Sequence, residues 1–328
     1  MTLSIQRILL ILALSLMGAD LAWAAIAHFH VDTLAYARLA LLAAALFAGG
    51  LFYARFRPDP ALEAMLMGAS FLCAFSAAAS VLNYFLLTVA GPRIDDYLVV
   101  ADRLIGFDWY QAMVAMADRP LLNAFFFQVY NFTLPQIALL MITLAWTRQP
   151  ERVYRFCLAI ASGALIAIFF WAALPSLGAK SMYALPASVE GRMTLSVTTQ
   201  YGRELVALLH NGPGYITPND LRGLIAFPSY HGVLALITAF YAWHVRWLRW
   251  PALAINLAVL ISSPIQGGHH AIDLVASIPV AALALAIAES RKLVFAVNEL
   301  QTEKSASFPT AAFRSGAAQK PVFQRLSD

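Results

Sequence analysis

Residues 153–174 read VYRFCLAIASGALIAIFFWAAL, with Arg155 as the only charge. A helix of that length rises about 33 Å, roughly the thickness of a bilayer's hydrocarbon core. Working outward, comparable runs occur at 6–27, 34–54, 62–90 and 121–146 before it, and at 229–248, 251–266 and 271–294 after it. The whole chain of 328 residues is 61% hydrophobic and 12% charged, with a mean hydropathy of +0.69. Soluble domains are about 45–50% apolar and about 25% charged. The excess excludes an ordinary soluble enzyme, a disordered chain and a disulfide scaffold. The apolar stretches are continuous rather than alternating, which excludes an outer-membrane barrel. The expectation is an all-α, polytopic helical membrane protein with about eight transmembrane helices. Arg7 followed by an apolar run resembles a secretory leader, but the run is long and Trp23 to His28 lacks a small-residue cleavage site, so it reads as a span. Cys73 and Cys157 sit inside apolar runs and read as small core residues without disulfide or thiol chemistry.

Charge sets the expected orientation. With the N-terminus inside, fourteen basic residues fall on the inner side and eight on the outer. Basic residues favour the cytoplasmic face, so both termini are expected there. The segment 91–120 carries Asp95, Asp96, Asp102, Asp108 and Asp118 among Tyr97, Leu98, Phe107, Trp109 and Tyr110. That mixture predicts short amphipathic helices in the outer interface. Residues 175–228 are rich in Pro and Gly and read as an outer loop that caps or walls a site. The polar tail from 298 to 328 reads as cytoplasmic. The expected location is an integral protein of a bacterial inner membrane.

Polar groups at the outer ends of spans are the candidates for chemistry, because they are costly near lipid depth. Of seven histidines, His28, His30, His210 and His244 read as interfacial or loop residues. His231 lies where a loop enters the sixth span, in Phe227-Pro228-Ser229-Tyr230-His231. His269 precedes the eighth span, and Asp273 follows four residues later on the same helical face. A carboxylate there can hold one ring nitrogen and leave the other free to attack. The same spacing fits a helix-start histidine with a capping aspartate, so spacing alone leaves both readings open. His270, three residues from Asp273, remains a second candidate nucleophile.

These residues resemble a known family. Phe227 to His231 is similar to the PSGH element of the type 2 phosphatidic acid phosphatase superfamily, and His269 to Asp273 to its HxxxD element. The form FPSxH after Gly223-Leu224-Ile225-Ala226, and the stretch Ala101 to Trp109, resemble the inositol phosphorylceramide synthase-like (inositolphosphotransferase-like) branch. The likeness covers roughly 62–294. It implies a six-helix phosphatase-like core at 62–297 behind two N-terminal helices at 1–61. It also implies metal-independent phosphoryl transfer through a phosphohistidine, with His269 as nucleophile, Asp273 orienting it and His231 protonating the leaving oxygen. Ser229 would help hold phosphate oxygens.

Two departures from the pattern matter. The family's third motif places an Arg where this chain has Ser263, and its first motif is not recognisable. A dianionic phosphate needs cationic donors, so Lys180 and Arg222 become the candidate phosphate-binding residues. The reading calls for no metal and no cofactor. Its expected partners are a lipid phosphate or phospholipid substrate, an alcohol or lipid acceptor, and membrane lipids, with no nucleic acid. One rival makes His231, His269, His270 and Asp273 ligands of a zinc hydrolase. Another makes the protein a non-catalytic lipid binder or a transporter, with Asp20 and Asn83 lining a path.

Overall fold

The computed structural model describes residues 4–219, 221 and 223–290, so the tail at 298–328 lies outside the described residues. Helix α1 (Ile5–Ala27) is followed by the hairpin of α2 (Thr33–Arg55) and α3 (Pro60–Phe85). The hairpin's short connection is fixed at Asp59, whose carboxylate accepts from the N–H groups of Ala61 and Leu62 at 3.0 and 3.1 Å, with Pro60 at the first helical position. Gly49 and Gly50 let the two helices close: a Cβ on Gly50 would stand 2.7 Å from Met67 Cγ.

Two short helices, α4 (Asp95–Leu104) and α5 (Trp109–Ala117), occupy the segment expected to be amphipathic. The fourth expected span is broken. Helices α6 (Pro120–Asn131) and α7 (Thr133–Trp146) meet at an angle of 51°. The cause is Pro135, which has no N–H for the Asn131 carbonyl and whose ring crowds the preceding turn. The apolar stretch 153–174 falls almost wholly within α8 (Pro150–Ala173), long, unbroken and largely buried.

The segment 175–228 is not merely loop. After the short α9 (Ala187–Glu190) it contains α10 (Thr199–Asn211), whose N-cap Thr198 accepts from Tyr201 N–H at 3.3 Å. Its polar and apolar faces hide it from a search for continuous apolar runs. Helix α11 (Tyr230–Ala242) stops well short of residue 248, in turns where Arg249 Nε donates to the Trp243 carbonyl at 2.7 Å. Helices α12 (Arg249–Gln266) and α13 (Ala271–Ala288) complete the order. By length and apolarity α1, α2, α3, α8 and α13 can each cross a membrane, as can the bent α6–α7 pair taken as one span. Helices occupy all eight expected positions, with α11 and α12 shorter or more polar than the rest.

Small residues bring α8, α11 and α13 together. A Cβ on Gly163 would stand 2.8 Å from Val233 Cγ1, and one on Gly232 would stand 2.5 Å from Ser277 Oγ. At one end of this trio Arg155 Nη1 donates to the Ala288 carbonyl at 2.6 Å and Tyr241 Oη donates to Glu289 at 2.6 Å. At the other end α11 and α13 begin side by side, and the histidines lie there.

Candidate active site

The start of α13 is organised by Asp273. Its Oδ2 accepts from the backbone N–H of His270, the helix cap, at 2.9 Å, and lies 3.2 Å from His269 Nδ1. The same Nδ1 is 3.1 Å from the Ala226 carbonyl oxygen. A carbonyl can only accept, so Nδ1 carries the hydrogen and Nε2 keeps its lone pair. Ser229 Oγ, 3.3 Å from Nε2, is the donor that meets it. His269 sits in the connection between α12 and α13. Burial first, with help from the Lys180 charge, pushes its pKa down to about 3, so the imidazole is neutral.

Ser229 caps α11, accepting from Gly232 N–H at 3.3 Å. Its own N–H donates to the Asp273 carbonyl at 3.1 Å, and its carbonyl accepts from Ser277 Oγ at 2.8 Å. These bonds join the two helix starts and fix the cap serine over His269. His231 is the second residue of α11. Its ring is stacked on Tyr130, centroids 4.3 Å apart, with Tyr130 Oη 3.2 Å from its Nδ1. The His231 and His269 rings are edge-on, centroids 6.3 Å apart.

Lys180 is buried in the same end. Its Nζ donates to the Gly267 carbonyl at 2.9 Å, and its backbone N–H donates to the Gly268 carbonyl at 3.3 Å. Gly268, at φ +64°, lies against the lysine stem: a Cβ there would come within 2.7 Å of Lys180 Cβ and Cδ. Burial lowers the ammonium to about 8, against the pull of Asp273 and Asp95.

His270 is turned away from this group. Its Nδ1 is 2.9 Å from Asp102 Oδ2, and its Nε2 is 3.8 Å from Asp95 Oδ1, an electrostatic contact too long for a hydrogen bond. Burial opposes the charge, but the Asp102 hydrogen bond and the Asp95 carboxylate outweigh it and raise the imidazole to about 9. Asp102 Oδ1 also accepts from Ile272 N–H at 2.9 Å. Asp95 accepts from Ser176 Oγ at 2.8 Å and from the N–H groups of Leu177 and Gly178 at 3.0 and 3.1 Å, and it pairs with Arg93 at 2.8 Å. Burial pushes Asp95 up, yet His270, Arg93 and Ser176 hold it below the usual carboxylate range.

Of the residues expected from sequence, His231, Ser229, His269, Asp273 and Lys180 are brought together here. His270 is adjacent but engaged elsewhere. Arg222 lies outside the described residues. At the position of the missing arginine, Ser263 is fully buried and donates to the Val259 carbonyl of its own helix at 2.8 Å. Tyr130, Asp95, Asp102 and Arg93 were not anticipated as parts of the site. Asp95 and Asp102 are seven apart on α4, two turns on one face, and a buried acidic stripe was the available signal. Arg93, which also donates to Ser181 Oγ at 2.9 Å, is the guanidinium set beside the Lys180 turn. No signal in sequence connects Tyr130 to His231. Among the described residues no group of three or more His, Cys, Asp or Glu side chains converges as a metal site, so the four residues of the zinc alternative do not meet at one point.

A profile of the PAP2 superfamily matches residues 96–287, the stretch from α4 through α13 that carries every one of these contacts except those of Arg93 and Asp95. No curated protein and no solved structure matches the chain. The match takes in more than half of the chain, and this helical membrane protein belongs to the PAP2 superfamily.

Proposed function

We propose that the protein transfers a phosphoryl group from a lipid phosphoester through a covalent intermediate on His269. The observation that carries this reading is the state of His269, neutral, held at Nδ1 by Ala226 and Asp273, with the Nε2 lone pair facing Ser229 and the His231 side of the site. In the first step the Nε2–P bond forms and the P–O bond to the lipid alcohol breaks. His231 gives that alkoxide its proton, and the arriving phosphate dianion supplies the negative charge that favours the protonated ring. Asp273 and the Ala226 carbonyl then face a phosphohistidine ring that has gained positive charge. Lys180 and the Ser229 hydroxyl neutralise and hold the phosphate oxygens. In the second step water or a lipid alcohol attacks phosphorus, its proton passes to His231, and His269 is released. Water makes the reaction a phosphatase. A carried phosphoinositol group and a lipid alcohol acceptor make it an inositol phosphorylceramide synthase-like transferase. The six-helix core 62–297 carries the reaction, behind the two-helix segment 1–61.

The decisive experiment incubates purified protein with a panel of lipid phosphates, with and without alcohol acceptors, and identifies products by mass spectrometry. The expected outcome is turnover in excess chelator, vanadate inhibition, and an acid-labile phosphoenzyme that is alkali-stable. Activity lost in chelator and restored by zinc points to the zinc hydrolase instead, and no turnover of any phosphoester leaves a lipid binder or transporter.

Charge asymmetry supports a site on the outer, periplasmic face of a bacterial inner membrane with both termini inside. Cysteines placed at Gln200 and Thr147 test this. A membrane-impermeant thiol reagent outside intact cells is expected to modify position 200 and spare 147. The reverse pattern inverts the orientation.

A further inference from the structure

Between α1, α2 and α3 lies a cavity of about 370 Å³, apart from the histidine site. Its walls are mostly alanine and aliphatic, including Ala24, Ala37, Ala74 and Ala77. Among the described residues Asp20 is the only charged one in that lining. It is 7% exposed, and neither carboxylate oxygen has a hydrogen-bond partner among the described residues. The nearby phenol of Tyr36 is already in contact with Ser80, its Oη 3.4 Å from Ser80 Oγ.

An unpartnered buried carboxyl is costly, and buried side-chain polar groups in folded proteins are usually satisfied. In a membrane span the cost is greater, and such a residue marks a site for a ligand or an ion. The volume is in the lower range of small-molecule pockets, and small wall residues leave it unfilled. What completes it must be apolar along most of its length and must bring donors to two acceptor oxygens. A carboxylate or phosphate headgroup is repelled, since among the described residues no Lys, Arg or His lines the cavity. A hydroxyl offers one donor and no charge. A primary ammonium offers three donors, no acceptor and the neutralising charge.

We propose that this cavity is a binding site for a single-chain aliphatic amine, whose ammonium pairs with Asp20 while its hydrocarbon chain lies among the alanines. The cavity adjoins the same end of the bundle as the histidines. Trp23, Phe29 and Tyr36 pack on the core cluster that contains Leu177 and Leu224, the residues leading into the Lys180 turn and the FPSYH segment. The proposal stands independently of the reaction assigned to His269.

The test uses the whole protein in phosphatidylcholine nanodiscs, with radiolabelled dodecylamine as the probe and dodecanol and dodecanoate as competitors. Saturable binding of one amine per protein is expected, above the partitioning into empty discs. Asp20→Asn keeps the shape and removes the charge, and should weaken binding at least tenfold while thermal stability holds or rises. Ala77→Leu fills the cavity and should weaken binding without touching Asp20. Dodecanol should compete at least tenfold less well than unlabelled dodecylamine. The proposal is overturned if binding does not saturate, if Asp20→Asn binds as wild type does, or if dodecanol competes equally.

Discussion

His269 and His270 are neighbours in the chain, 3% and 0% exposed, and they end in opposite charge states. Burial penalises the cation at both. His269 gives its Nδ1 hydrogen to a neutral carbonyl and to an Asp273 oxygen that the His270 N–H already occupies, with the Lys180 cation close by. His270 lies between two carboxylates of α4. Desolvation sets a similar cost for both rings, and the number of carboxylates left to answer it decides which ring keeps its proton. A neutral ring can attack phosphorus. A ring held as an imidazolium has no lone pair to offer, and it serves to bind α4 to the start of α13.

The largest effect should come from separating these two roles. His269→Ala is expected to reduce turnover on every substrate on the order of 10⁴–10⁶-fold, with no phosphoenzyme trapped and little loss of stability. His270→Ala should do the reverse. It leaves Asp102 buried without its cation and Asp95 with Arg93 alone, a loss of about 3–5 kcal/mol of stability, while the folded fraction still turns over and traps phosphate. Because His270 is raised above its ordinary value, its stabilisation is full below that value and fades as pH rises through about 9. Thermal melting across pH 7 to 10 checks this, and phosphate trapped in His269→Ala with none in His270→Ala would reverse the comparison.

The pair also shows how far the sequence could be read. Continuous apolar runs located a helix at every expected span, because hydrophobicity over about 20 residues is a property of the local chain. The break at Phe132 was legible in principle from Pro135, but an apolar run counts proline as no interruption. Helix α10 was missed because an amphipathic helix carries no such run. His269 lies just before α13 rather than on it, and Asp273 in the first turn reaches back past the cap His270 to meet it. The four-residue separation made that contact readable, although the shared helical face expected for it is not what makes it. The partner of His270 is Asp102, 168 residues away, and the partner of His231 is Tyr130, 101 residues away. Contacts of that separation are made by packing of α4, α6, α11 and α13, and no local pattern encodes them.

A second contrast lies between His269 and His231. In the proposed reaction His269 as nucleophile is required whatever leaves, whereas His231 as acid matters only when the leaving group is poor. His231→Ala should therefore lose about 10²–10⁴-fold on a lipid phosphate and far less on p-nitrophenyl phosphate, whose alcohol departs unaided. Equal losses on both substrates would make His231 a binding or structural residue instead.

Lys180 extends the comparison to pH. Its ammonium is lowered to about 8 by burial, so the charge proposed to meet phosphate is present below that pH and is lost above it. In the free enzyme kcat/KM should fall about tenfold per unit above pH 8, while the neutral His269 sets no acid limit down to about pH 4. Lys180→Arg keeps its charge at every accessible pH and should move the alkaline limb upward, at some cost in packing over Gly268. A limb that stays near pH 8 in Lys180→Arg assigns the titration to another group.

The smallest effect is expected at Tyr130. Its phenol contributes one hydrogen bond to His231 Nδ1, and its ring stacks on the imidazole at 4.3 Å. Tyr130→Phe removes the bond and keeps the stacked ring, so the fold and the position of His231 should survive. The loss is about 0.5–1.5 kcal/mol, which is about two- to twelvefold in rate if it is expressed in the step that uses His231. It should appear in kcat for a lipid phosphate and be nearly absent for p-nitrophenyl phosphate, following the substrate pattern of His231→Ala on a reduced scale. In the His231→Ala background the tyrosine has nothing to orient, and Tyr130→Phe should then add no further loss. A double-mutant cycle measures that coupling, and additive losses in the cycle would detach Tyr130 from His231 and assign it to substrate binding.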